Sequence, residues 1–170
     1  MRTFLELAQA RYSVRSFQPQ PPEPELLAQV LEAGRLAPTA CNNQPQRIKV
    51  LADPSELAKV DACTPCRFGA PAVLLVCYDK TVSWKRDFDG ADSGKVDAAI
   101  VATHLMLAAQ EAGLGSCWVM YFDPAKTAEL FALPADIVPV ALLPLGYPAA
   151  DAQPADLHGQ RFAIDTMLLP

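Results

Sequence analysis

Two hydrophobic periodicities alternate along this chain, and together they lay out its elements. Apolar residues at positions 4, 5, 8 and 10 predict a short amphipathic helix over Phe4–Arg11. Prolines 19, 21, 22 and 24 then bar any helix interior and require an ordered connection. Leu26, Leu27, Val30 and Leu31 mark one face of a second helix, opened near Pro24 and stopped before Pro38. Arg47–Ala52 alternates as a strand does, and Pro54–Val60 reads as a short helix entered through Asp53 as N-cap. Ala72–Tyr78 (AVLLVCY) is an unbroken run of β-formers, the pattern of a strand buried on both faces. Ser83–Gly94 is polar and aromatic and reads as a long loop. Lys95–Ala112 is the longest helical pattern and is apolar nearly all round, so it must be covered on most sides, by a sheet and by a second subunit. Gly113 is placed to cap it. A strand over Ser116–Tyr121, a short helix over Pro124–Phe131 and a strand over Val138–Leu145 follow. The end is an irregular arm with a late apolar patch.

Strands and helices interleave without regular βαβ units. The layout expected is an α+β sandwich, one sheet with helices on both faces. The 170 residues suit one domain, 1–170, with an extended arm from about 149 to 170. At 51% hydrophobic and 19% charged, the chain can bury a large core, and the high apolar share suggests a subunit interface. A net charge of -5 argues against nucleic-acid binding, and no apolar run approaches the ~20 residues of a membrane span. Glu6 comes early and no secretory apolar core precedes it, so the expected location is the cytoplasm. Five cysteines, an odd number, do not suggest a disulfide framework. Cys63 and Cys66 have CxxC spacing, but they precede a strand instead of opening a helix after one, the wrong order for thiol–disulfide exchange. No second ligand pair is spaced for a metal, so none is expected.

Three polar constellations interrupt the apolar pattern. Arg11-Tyr12-Ser13-Val14-Arg15 sets two guanidinium forks and a hydroxyl where the first helix ends, a set that suits phosphate; two solvated surface arginines would look the same. Pro38-Thr39-Ala40-Cys41-Asn42-Asn43-Gln44-Pro45 is a proline-bounded run of amides, suited to a heteroaromatic ring edge or to an ordinary turn. Gly113 to Asp123 makes a tight reversal into bulky apolar residues, either a slot for a flat ring or a plain helix–strand joint. The chain has no GxGxxG and no Walker sequence.

Taken in order, these segments resemble the nitroreductase family. FLELAQARYSVRSF looks like its opening helix and R-x-S-x-R-x-F signature, and PTACNNQP is similar to its P-S/T-x-x-N-x-Q-P. WKRDFDGADSGKVDAAIVATHLMLAAQEAGLGSCWVMYFD resembles a short-chain subgroup, and LPLGYP a strand terminus of the family. The resemblance implies a three-layer α-β-α sandwich with a mixed, mainly antiparallel sheet, and a homodimer with FMN at the subunit interface. Arg11, Ser13 and Arg15, with Tyr12 in the same stretch, would hold the phosphate and ribityl chain, and Arg161 would close on the phosphate. Pro38, Thr39, Asn42 and Gln44 would line the flavin from the other subunit. Val119, Met120 and Tyr121 would lie against the isoalloxazine, with the Met120 N–H facing N5; Gly146 follows from the strand terminus. Tyr121 is bulkier than the small residue of larger members, the K-P-R-K-like cluster is missing and so are long insertions, departures that bear on substrate more than on cofactor.

The activity implied is hydride transfer from NAD(P)H through flavin to a nitroaromatic, quinone or similar acceptor, with ping-pong kinetics and no side chain acting as acid or base. His104 reads as a buried structural histidine, His158 as a neighbour of the phosphate or a loop residue, and Trp84, Lys85 and Arg86 as a pocket wall or a surface loop. A flavin carrier or sensor without turnover would carry the same binding residues, and CxxC redox chemistry is the more distant alternative.

Overall fold

The computed structural model describes residues 3–169. Five helices surround four strands: α1 (Phe4–Ala10), α2 (Pro24–Arg35), β1 (Gln46–Leu51), α3 (Pro54–Cys63), β2 (Ala72–Asp79), α4 (Gly94–Glu111), β3 (Gly115–Ser116), α5 (Pro124–Leu130) and β4 (Ile137–Gly146). The sheet runs in the order β1-β2-β4-β3 with every pairing antiparallel, and a single parallel bridge joins Ser13 to Ser116 at its edge.

β2 decides the layering. Its side chains alternate between faces, as a strand requires. Leu74, Val76 and Tyr78 pack with Val30 of α2 and Ala98, Val101 and Leu105 of α4. Val73, Leu75 and Cys77 pack with Val60 and Leu57 of α3 and with Phe131 beyond α5. Each fully buried Val or Leu contributes about 1.5–3 kcal/mol, so a strand buried on both faces anchors both helical layers at once. The expected three-layer α+β sandwich is observed. None of the described helices is long and apolar enough to cross a membrane.

Local chemistry explains the element ends. Thr3 and Glu6 form a capping box at α1: Thr3 N–H donates to Glu6 Oε2 (2.7 Å) and Glu6 N–H to Thr3 Oγ1 (3.3 Å). α4 closes in a Schellman motif: Leu114 N–H donates to Ala109 O (2.8 Å) and Gly113 N–H to Gln110 O (3.3 Å), with Gly113 at φ 77°.

Four sequence expectations need correction. The strand expected over Ser116–Tyr121 shortens to Gly115–Ser116 plus an isolated bridge at Val119, because the chain leaves β4 to reach α3. Asp53 stands at the N-cap of α3, yet its side chain makes no capping bond. Ser83–Gly94 is not an open loop. Lys85 and Asp92 pair across an antiparallel bridge and an ion pair (2.9 Å), Arg86 N–H donates to Ala91 O (2.9 Å), and Arg86 and Asp89 form an ion pair (2.6 Å) at the turn. The C-terminal arm, in turn, carries two 3-10 turns, Asp156–Gly159 and Ile164–Met167.

Gly94 gives the fold a test. A methyl group there would overlap the buried Tyr78 ring. Helix propensity alone favours Gly94→Ala by up to about 1 kcal/mol, but over-packing costs about 1–3 kcal/mol. A lower denaturation midpoint is therefore expected for Gly94→Ala, measured by urea unfolding.

Candidate functional site

The chain leaves α1 in an extended stretch that lies along the sheet edge. Val14 N–H donates to Ser116 O (3.0 Å) and its side chain is fully buried. Gly115 permits that approach, since a Cβ there would sit 2.6 Å from Val14 Cγ2. With Val14 turned inward, alternation puts Ser13 and Arg15 on the outer side. Arg11, Tyr12, Ser13 and Arg15 line a cleft of about 260 Å³, closed by Ala155, Leu157, His158 and Arg161 of the arm. Among the described residues, no carboxylate lines it.

Among the described residues, seven cations are engaged in ion pairs: Arg35, Arg47, Lys49, Arg67, Lys80, Lys85 and Arg86. Among the described residues, Arg11, Arg15 and Arg161 have no acidic partner. Three guanidinium groups gathered without a counter-charge form a site for a multivalent anion. Beneath them, burial raises the Cys117 thiol's pKa, an effect that Arg15 opposes.

The cleft opens onto a sheet edge. Cys117 N–H donates to Pro144 O (3.3 Å) and Val119 N–H to Leu142 O (2.9 Å), so these two face β4. The N–H groups of Trp118 and Met120 therefore point away from the sheet. The Met120 and Tyr121 side chains are 67% and 76% exposed, while Val119 is buried. Thr64 fixes this segment, donating its hydroxyl to Tyr121 O (2.5 Å), and Asp123 N–H donates to Cys63 O (3.1 Å). The CxxC segment thus serves as a clip. Cys63 ends α3 and is buried, following a helix instead of opening one. Gly146 is buried under Pro71 and Phe17 and pairs with Gly115, behind the cleft.

The amide-rich segment lies elsewhere. Cys41, Asn42 and Gln44 have φ of 50°, 55° and 52°, three of the five described non-glycine residues in the left-handed region. Such conformations cost about 1–3 kcal/mol each and persist only where neighbours enforce them. Thr39 Oγ1 accepts from Gln44 N–H (3.0 Å), and Asn43 Nδ2 donates to Val82 O (3.0 Å). Asp97, 2% exposed in the first turn of α4, accepts from Ala40 N–H (2.9 Å) and from Ser93 Oγ (2.7 Å). The enforced loop leaves Pro38, Asn42 and Gln44 exposed. Sequence reasoning missed Asp97; its only signal was a carboxylate in the first turn of an otherwise apolar helix.

Within one chain the two groups of residues stay apart. The loop sits beside β1 and the N-terminal end of α4; the cleft and Met120 sit beside β3 and its C-terminal end. The 18 residues of α4 span roughly 27 Å, longer than a flavin mononucleotide.

The nitroreductase family model matches residues 8–64 and 62–147. This chain belongs to the nitroreductase family. A nitroreductase family protein from Clostridium difficile is 37% identical, with a TM-score of 0.93 over 99% of this chain and 98% of the other. A Thermus thermophilus protein named NADH dehydrogenase is 30% identical over 85% of this chain and 86% of its own length. A protein from Exiguobacterium sibiricum, solved in complex with FMN, shares the fold at 21% identity, with a TM-score of 0.84 over 99% of this chain and 97% of the other.

In this nitroreductase-family chain His104 bonds within its own helix, Nδ1 lying 2.9 Å from Ile100 O, but it is half-buried and not buried as expected. Burial lifts the Cys77 thiol to about 12, so no thiolate forms there at neutral pH. Aromatic-disulfide titration of the native protein is expected to leave Cys77 unreacted until denaturant is added. Asp97→Ala, which removes the acceptor for Ala40 N–H, is expected to lower stability by about 1–3 kcal/mol and to expose the 39–44 loop to proteases, with a smaller effect for Asp97→Asn. Equal protease resistance in all three proteins would show that the loop does not need the carboxylate.

Proposed function

We propose that this chain is an FMN-dependent oxidoreductase that works as a homodimer, passing hydride from NAD(P)H to small acceptors such as nitroaromatics or quinones. The observation that carries the reading is the cleft holding Arg11, Arg15 and Arg161 without an acidic partner, bridged through Ser13 to Ser116 of β3, four residues before the outward-facing Met120 N–H. Phosphate fits the first and a ring nitrogen the second. The FMN in the Exiguobacterium structure and the name of the Thermus relative support the same reading.

Bound there, FMN supplies the hydride chemistry. Arg11, Ser13, Arg15 and Arg161 hold the phosphate, with Tyr12 buttressing the arm. The Met120 N–H would be the donor to the flavin ring, Val119 fixes that donor through its two bonds to Leu142, and the exposed Tyr121 ring would stand beside the bound group. Thr39, Asn42 and Gln44 come from the second copy; Asn42 and Gln44 present amides to the pyrimidine edge, and Pro38 stiffens their loop. No side chain of the cleft has to act as acid or base. One open face that serves donor and acceptor in turn gives ping-pong kinetics.

Exposed apolar surface supports the dimer. Val96, Ile100, Thr103 and Leu107 share a stripe on α4, and Phe4 and Leu5 of α1 are exposed. On the arm, Phe162 is 90% exposed and Ile164, Met167, Leu168 and Leu169 are exposed with it. A second copy covers this surface and brings its loop to the first chain's cleft.

Purified protein is expected to show flavin absorbance at an elution volume of twice the chain mass, and to oxidise NAD(P)H with a nitroaromatic acceptor. Flavin without oxidation would show binding without turnover; a colourless monomer that takes up no FMN would contradict the reading. Arg15→Ala is expected to weaken FMN about 10- to 100-fold while leaving riboflavin unchanged, as loss of a charge-assisted phosphate contact requires. Equilibrium dialysis with both ligands measures this.

A further inference from the structure

His158 sits in the arm's 3-10 turn and lines the same cleft as the arginines. Its Nε2 lies 3.2 Å from the backbone oxygen of Gln9, and its ring meets Tyr12 edge-on with centroids 6.2 Å apart. A carbonyl oxygen only accepts, so Nε2 carries the hydrogen in that bond. In the neutral ring Nδ1 is then a bare lone pair, which repels a phosphate oxygen; in the imidazolium it is a charged donor.

Arg11 and Arg15 come from the segment after α1 and Arg161 from the arm, and all three line the cleft with His158. Asp156, two residues away in the same turn, is exposed and does not line the cleft. On α1, the acid Glu6 is engaged at Thr3. The Tyr12 hydroxyl donates to Ala152 O (3.4 Å). A phosphate dianion placed among these groups brings two negative charges, which favour an imidazolium that they touch.

We propose that His158 is a proton-linked ligand of the phosphate: the ring takes a proton from solvent onto Nδ1 as the phosphomonoester binds, donates that hydrogen to it, and returns the proton when the phosphate leaves. This rests on the reading of the cleft as the FMN phosphate site. It adds that the cofactor is held more tightly as pH falls, and that the arm is latched to the phosphate through a titrating residue.

The ligand's own ionisation works in the opposite direction, which makes the test clean. A phosphomonoester loses its second charge as pH falls through about 6, which weakens its attraction to a cationic cleft. Tighter FMN binding at lower pH therefore has to come from the protein. Flavin-loaded protein, wild type and His158→Gln, is diluted at several values from pH 8.5 to 6.5, and release is followed by recovery of flavin fluorescence, with riboflavin as the ligand that lacks the phosphate. In the wild type the ratio of FMN to riboflavin affinity is expected to rise about tenfold across this range; in His158→Gln it stays flat or falls. Were the variant not to fold, the wild-type ratio alone decides: a rise supports the proposal, and a flat or falling ratio overturns it. Parallel profiles in the two proteins also overturn it and leave the FMN reading standing. FMN that fails to bind at every pH overturns both.

Discussion

An 18-residue helix with almost no polar face has to be covered all the way round, and α4 imposes that requirement on the rest of the molecule. Its inner side is met by α2 and by the sheet; Gly34 of α2 comes so close that a Cβ there would lie 2.6 Å from Leu105 Cδ2. The outer stripe of Val96, Ile100, Thr103 and Leu107 has no comparable cover within the chain. The same helix separates the two groups of functional residues, since Asp97 at one end holds the amide loop and the Gly113 turn at the other leads to the cleft. On the proposed reading, one element calls for the second copy on both counts: apolar surface to be buried and a site to be completed.

Both parts of the site are poor structures on their own. Three unpaired guanidinium groups repel one another, and three left-handed non-glycine residues cost about 1–3 kcal/mol each. The fold bears the loop's cost through Asp97, Thr39 and Asn43, and the arginines' cost falls when an anion arrives. A ligand at a hundred times its Kd adds about 2.7 kcal/mol to folding stability. On the proposed reading cofactor and fold are linked in this way, and the arm that lines the cleft is fastened to the chain after α1 through Tyr12 and to α1 through His158.

Much of this was legible in the sequence, for reasons that differ by element. The run of Ala72–Tyr78 and the apolar Lys95–Ala112 read correctly because long, strongly apolar runs leave a pattern that no local signal contradicts. The arginine and amide segments were legible as candidates through residue type, and their resemblance to a family ordered them. Three features were not readable. Beyond its bridge at Val119, the chain departs from the sheet as Tyr121 and Asp123 are tied to Thr64 and Cys63 at the end of α3, contacts that no periodicity records. The 83–93 hairpin depends on ion pairs between Lys85 and Asp92 and between Arg86 and Asp89 in a stretch without hydrophobic alternation. Asp97 acts across 57 positions of chain on Ala40, and a buried carboxylate's partner cannot be inferred from its own neighbourhood.

Complementation between two defective chains decides whether each site is built from two chains. A chain with Arg11 and Arg15 changed to alanine is co-expressed with one carrying Asn42→Ala and Gln44→Ala, each bearing a different tag, and the mixed species is purified through both tags. If sites form between chains, the mixed dimer has one site with both defects and one with none, and it regains one flavin per dimer although neither parent holds any. Mixed dimers as empty as both parents would mean that a single chain builds its own site, and the interface account would fail.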